Sequence, residues 1–263
     1  MHQIQITPEK CLQDGICVQT CPFGLFRDHP DGIPEIVDGA GELCIGCGHC
    51  VAICPGEAIS LDGQGPEWCD PVDRTWAPSK EQILYHFRSR RSIRVYKEEA
   101  VDRPTLESLL DLARWAPSAR NGQPVHWIVF QDHEAIHNLA RLVVDWMRHK
   151  NLLPEIVHAF DNGKDMINRH APCLVVAHAS EQALKPVEDC SIALAHIEAA
   201  APAFGLGGCW AGFFMTAAQQ YQPLVDVLDL PQGHRVYGAL MLGVPRFSYR
   251  RIPPRQELQV QWR

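Results

Sequence analysis

The 263-residue sequence has no run of eighteen apolar residues, so nothing in it reads as a membrane-spanning helix. Its opening, "MHQIQITPEK", lacks the cationic start and apolar stretch of a secretory leader. These two absences predict a cytoplasmic protein with no membrane partner. Basic residues are scarce at the front: residues 1–78 hold three Lys or Arg against twelve Asp or Glu, a balance of −9, whereas the remainder balances at +2. That front argues against nucleic acid, which demands basic surface. It suits docking to a basic partner or plain solvation. Cysteine, by contrast, is crowded there. Seven of the eleven fall within the first 54 residues, at metal-ligand spacings rather than the scatter of a disulfide framework.

"CLQDGICVQTCP", from Cys11, recurs 33 residues later as "CIGCGHCVAICP", from Cys44. The copies agree at every cysteine but one, because Asp14 stands where the second copy has Cys47. Cys44, Cys47, Cys50 and Cys54-Pro55 form the C-x2-C-x2-C-x3-C-P run that holds cubic clusters in bacterial ferredoxins, the fourth cysteine serving the other cluster. Soft sulfur ligands suit iron–sulfur or zinc, but zinc sites use two separated pairs, so the spacing favours iron–sulfur.

The stretch resembles a two-cluster ferredoxin domain over about sixty residues. Crossing the ligands between the copies assigns Cys21, Cys44, Cys47 and Cys50 to one 4Fe-4S cluster. Cys11, Cys17 and Cys54, with Asp14 at the fourth corner, take the second. A carboxylate is a harder and weaker partner for iron than a thiolate. The second cluster is therefore expected as 4Fe-4S with Asp14 bound, or as 3Fe-4S once oxidation has removed that iron. The competing reading makes Asp14 a turn residue of "QDGI", since Asp-Gly is good turn chemistry. His49 reads as a neighbour of the cluster rather than a ligand.

"GQGPEWCDPVDRTWAP", rich in Gly, Pro and Asp, reads as a linker over 63–78 between domains at 1–62 and 79–263. In the second domain Asp102 caps an expected helix with Leu106, Leu109, Leu110 and Ala113 on one face, stopped by Pro117. "VHWIVF" (125–130), "CLVVAHA" (173–179) and "VYGALMLGV" (236–244) read as buried central strands. Between the last two lies a long apolar helix ending near Gly205 and bent at Pro202. Helices alternating with strands predict an α+β or α/β layered fold.

"RSRRSIRVY" places Arg88, Arg90, Arg91 and Arg94 among Ser89 and Ser92, the forks and hydroxyls that a phosphate needs, or else a solvated helix end. It is followed by "APSARNGQPVHW", "GLGGCWAG" and "GVPRFSYRRIPPR". From Ser79 to about Arg255 this series resembles the nitroreductase family of flavin mononucleotide (FMN) enzymes. The resemblance implies an α+β chain in which a bacterial ferredoxin-like domain precedes a three-layer α/β/α domain. It also implies a homodimer, with FMN in each of two interface clefts. Carried over by position, Arg90, Arg91 and Ser92 grip the phosphate and Arg94 approaches the flavin's pyrimidine edge. Pro117, Ser118 and Ala119 reach the flavin from the partner chain, and Asn121 supports that loop or the ring. The amides of Leu206, Gly207 and Gly208 face the reactive nitrogen, and Arg251 or Arg255 completes the phosphate site.

No catalytic proton donor is identifiable, because His126 and His178 read as core or rim histidines. Cys173, Cys190 and Cys209 read as small buried hydrophobes. The two halves together predict a converter. Clusters pass single electrons and a flavin delivers two. The expected donor is a low-potential one, a ferredoxin or an NAD(P)H-linked reductase, and the expected substrate a small electrophile of nitro, quinone or enone type. The alternative is a non-catalytic electron carrier or redox sensor using the Asp14 cluster.

Overall fold

Left-handed backbone turns recur with the period of the sequence repeat. Gln13 and Gly46 have φ of 59° and 61°, and Gly15 and Gly48 have 66° and 68°. The two cysteine rows therefore follow the same local path, and Gln13 accepts a conformation that glycine adopts without steric cost at position 46.

In the computed structural model, which describes all residues from Met1 to Arg263, the chain divides into two units, Met1–Ala77 and Pro78–Arg263. No helix is long and apolar enough to cross a membrane. In the first unit β1 (Ile4–Ile6) pairs antiparallel with β4 (Ile59–Leu61), and β2 (Phe26–Arg27) pairs with β3 (Glu35–Ile36). Three short helices, α1 (Ile16–Thr20), α2 (Ala40–Leu43) and α3 (His49–Ile53), complete it. Its core is small: Cys17, Leu25, Phe26, Ala40, Val51 and Ile59. The Gly/Pro-rich stretch after β4 carries two 3-10 turns, Pro66–Trp68 and Arg74–Trp76, and groups with the first unit.

The second unit opens on α4 (Lys80–Ser89), whose capping box is complete: Ser79 Oγ accepts from Gln82 N, and Gln82 Oε1 accepts from Ser79 N. Helix α5 (Arg103–Ala113) starts at the expected cap, with Asp102 Oδ1 accepting from Thr105 N at 2.9 Å. It buries Leu106, Leu109 and Ala113. Then follow β5 (His126–Phe130), α6 (His133–Lys150), α7 (Pro154–Asp161), β6 (Cys173–Ser180), α8 (Pro186–Ala200), β7 (Gly207–Trp210), α9 (Gly212–Ala218), α10 (Gln222–Leu228) and β8 (His234–Gly243). The strands form one antiparallel sheet in the order β5-β6-β8-β7.

Strand alternation builds the layers. Leu174, Val176, Ala239 and Met241 pack on one face with Val143, Met147 and Phe214. Val175, Ala177, Leu240 and Leu242 pack on the other with Leu109, Leu194 and Ile197. Helices thus cover both faces, giving the three-layer α/β/α arrangement expected.

One expectation is corrected. The 125–130 stretch forms an edge strand, half-exposed along its length, because a short apolar run looks alike at the centre and at the border of a sheet. "GLGG" does close a helical segment, through the 3-10 turn Ala201–Phe204 and a left-handed Gly205. Its last two glycines, however, begin β7. Glycine has little strand propensity, and β7 forms because β8 offers it a partner.

Candidate functional site

The first unit holds two cysteine-lined cavities. One is walled by Cys21, Cys44, Cys47 and Cys50 with Ile4, Phe26 and Leu61. The other is walled by Cys11, Cys17, Cys54 and Asp14 with Ile6, Pro34 and Ile59. Each therefore draws thiols from both copies of the repeat. The crossover arises because α1 and α3 lie side by side and carry the last cysteine of each row past its own loop. No three His, Cys, Asp or Glu side chains are arranged to hold a single metal ion; the thiols line the cavity walls, and the donor set is the soft one that iron–sulfur clusters use.

Backbone amides already point at three of these sulfurs. Leu25 N donates to Cys21 Sγ at 3.5 Å, Ala58 N to Cys54 Sγ at 3.4 Å and Gly46 N to Cys44 Sγ at 3.4 Å. The first two are repeat equivalents. Such bonds stabilise negative charge on sulfur. Burial opposes it, pushing the Cys50 thiol up to about 11 and the Cys17 thiol upward as well. Asp14 Oδ1 accepts from Ile16 N at 3.0 Å, so one oxygen serves the turn into α1 while the residue lines the cavity with its three cysteines.

In the second unit the arginine run is anchored at its middle. Ile93 N donates to Gly208 O at 2.9 Å, and buried Tyr96 donates its hydroxyl to Ile93 O at 2.7 Å. The run is thereby held against β7. Arg90, Arg91, Ser89, Leu206, Gly207 and Gly208 share a cavity of about 220 Å³ with Tyr249 and Ser248 from the tail. Arg90 Nη1 is fixed by Glu198 Oε1 at 2.8 Å, and Glu198 Oε2 accepts from Trp210 Nε1 at 3.0 Å. Two guanidiniums and two serines beside side-chain-free glycines are a donor set that fits the phosphate end of FMN. Arg94 lies in an adjoining cavity of about 270 Å³ that shares Ile93, Phe247, Ser248 and Tyr249.

Other expected residues stand elsewhere. Ser92 is half-buried outside both cavities. The Leu206 amide is committed to Ala201 O at 2.9 Å, which corrects its expected role as a donor toward a flavin. Pro117, Ser118, Ala119 and Asn121 form a separate loop. There Ala119 N donates to the buried Asp189 carboxylate at 2.9 Å, Gln123 N donates to Ser118 Oγ, and Arg120 and Asn121 are left-handed. Arg251 and Arg255 are exposed in the tail. Glu198 and Trp210 were missed. A glutamate inside an apolar helix was the available signal, since a buried acid needs a cationic partner.

Residues 87–244 match the model of the nitroreductase family, and residues 10–59 match that of a 4Fe-4S dicluster domain. A putative NADH dehydrogenase/NAD(P)H nitroreductase of Archaeoglobus fulgidus is 30% identical over 169 residues, 63% of this chain and 87% of the relative. The iron-sulfur cluster-binding subunit of menaquinone reductase from Nitratidesulfovibrio vulgaris is 33% identical over 79 residues, 29% of this chain and 30% of that protein. A solved nitroreductase with bound FMN, from Bacteroides fragilis, superposes with a TM-score of 0.55 at 20% identity, covering 68% of this chain and 99% of its own.

Proposed function

The chain belongs to the nitroreductase family of flavin oxidoreductases and carries a 4Fe-4S dicluster domain at its front, and on that premise we propose that it takes single electrons through two iron–sulfur clusters to an FMN that reduces a small electrophilic molecule of nitro, quinone or enone type. The observation that carries this reading is the pair of cysteine-lined cavities, each drawing on both copies of the repeat. FMN when bound supplies the conversion between one-electron and two-electron chemistry.

The chain's residues supply the rest. Cys21, Cys44, Cys47 and Cys50 hold one cluster; Cys11, Cys17, Cys54 and Asp14 hold the other. Arg90 and Arg91 take the flavin phosphate, and the tail arginines Arg251 and Arg255 are candidates to join them. Ser92 joins the phosphate grip from beside the cavity, and the Gly207 and Gly208 amides face the flavin's reactive nitrogen. Arg94 offers positive charge where a reduced ring gathers negative charge. Pro117, Ser118, Ala119 and Asn121 serve the partner's flavin in a cytoplasmic homodimer. Ile83, Leu84, Tyr85 and Phe87, between 41% and 69% exposed on α4, are the apolar surface that a second copy would cover. A ferredoxin or an NAD(P)H-linked reductase delivers the electrons.

Anaerobic rapid mixing tests the route. With clusters reduced beforehand, the yellow flavin absorbance bleaches before any substrate is added. A flavin that stays oxidised beside reduced clusters overturns the proposal.

A further inference from the structure

Residues 118–123 follow a backbone path that side-chain-bearing residues resist. Arg120, Asn121 and Gln123 lie in the left-handed region, with φ of 51°, 54° and 44°. Three such residues within four positions persist only where the surroundings over-determine them. Part of that determination is internal. Gln123 N donates to Ser118 Oγ at 2.9 Å, and Gln123 Nε2 donates to Asn121 Oδ1 at 3.2 Å. Asn121 N donates to Ser118 O and Gly122 N to Ala119 O, each at 3.0 Å. These bonds shape the loop without fixing where it stands.

Its place is set by a residue 70 positions further along the chain. Asp189, 3% exposed, accepts from Ala119 N through Oδ1 at 2.9 Å. It stands in the first turn of α8. The following residues of that helix, Cys190, Ala193, Leu194 and Ile197, are buried in one cluster with Leu109 and Ala113 of α5. The anchor therefore belongs to the packed core, while Arg120, Gly122 and Gln123 of the loop are exposed. Burying a carboxylate is costly unless it accepts hydrogen bonds. An apolar side chain would fill the same space without that cost. What the carboxylate adds is an acceptor roughly twice as strong toward an amide as a neutral one.

We propose that Asp189 is a positioning residue for the flavin: through Ala119 N it sets the place of the loop that serves the partner's flavin. The inference rests on the flavin reading and adds to it a residue that touches the loop instead of the ring.

Fluorescence titration of the full-length, cluster-loaded chain with FMN, and separately with riboflavin, tests the assignment. Asp189→Ala weakens both about tenfold, because the loop serves the ring that the two flavins share. A fault at the phosphate end would weaken FMN alone. Asp189→Leu, which fills the space without an acceptor, repeats the alanine result and leaves no cavity. Asp189→Asn keeps an oxygen in place and restores both affinities to within about twofold of wild type. Amide hydrogen exchange at Ala119 in the flavin-free chain is fast in the alanine and leucine variants and slow again in the asparagine one. Alanine and leucine variants that bind both flavins as wild type does overturn the proposal, and so does a defect that asparagine leaves unrepaired. A wild-type chain that binds neither flavin overturns the flavin reading and this inference with it, so the wild-type titration tells the two failures apart.

Discussion

Arg90 and Glu198, 108 residues apart, meet in a mostly buried ion pair, Nη1 to Oε1 at 2.8 Å, and Glu198 also accepts from Trp210. The carboxylate thus aims Arg90 into its cavity while leaving the other guanidinium donors for a ligand. Arg90→Ala is expected to weaken FMN binding by at least about tenfold while barely changing riboflavin binding, because only FMN carries the phosphate. Fluorescence titrations of the flavin-free protein with both flavins measure the ratio. Equal losses for the two would remove Arg90 from the phosphate site. The variant also strands Glu198, costing about 1–3 kcal/mol of stability.

Asp14 is expected to make the second cluster lose one iron on exposure to air, leaving three. Asp14→Cys restores a thiolate and retains four. Iron content and low-temperature spin resonance, before and after oxidation, compare the two proteins. Identical spectra would leave Asp14 with its turn role alone, the bond from Ile16 N.

Gly56 has no room for a side chain, since a Cβ there would meet the Lys10 carbonyl oxygen and the Leu12 side chain. Backbone cannot rotate away as a flexible side chain can. Gly56→Ala is expected to spread Cys54 from Cys11 and so abolish the second cluster while the first persists. Roughly half the wild-type iron, with one surviving spectral signature, is the expected outcome. Full iron content would show that the loop absorbs the extra methyl.

His178 is 4% exposed, and its Nδ1 lies 3.0 Å from that of His234. Burial first, then His234 and His126, pushes its pKa down to about 4. The folded protein therefore keeps the imidazole neutral, whereas the unfolded chain protonates it near pH 6.5. This contribution is fully present above pH 6.5 and is lost as pH falls toward 4, by about 3 kcal/mol at most. Urea unfolding at pH 7 and pH 5 should show a smaller difference for His178→Phe than for wild type. An unchanged difference would assign the acid sensitivity to other groups.

Spacing alone made much of this protein legible. The cysteine rows, their period and the exception at Asp14 are local patterns, and so are the cap at Asp102 and the helix break at Gly205. Each depends on residues within a few positions, where chain geometry leaves few choices. The crossed ligand sets were legible too; the tertiary structure brought each around its own cavity, through the packing of α1 on α3. It put "VHWIVF" at a sheet edge and drew Gly207 and Gly208 into a strand, because strand order depends on partners far along the chain. It also brought Glu198 to Arg90 and Asp189 to the Ala119 amide. Burial and charge balance depend on what folds alongside, and no stretch of sequence carries that by itself.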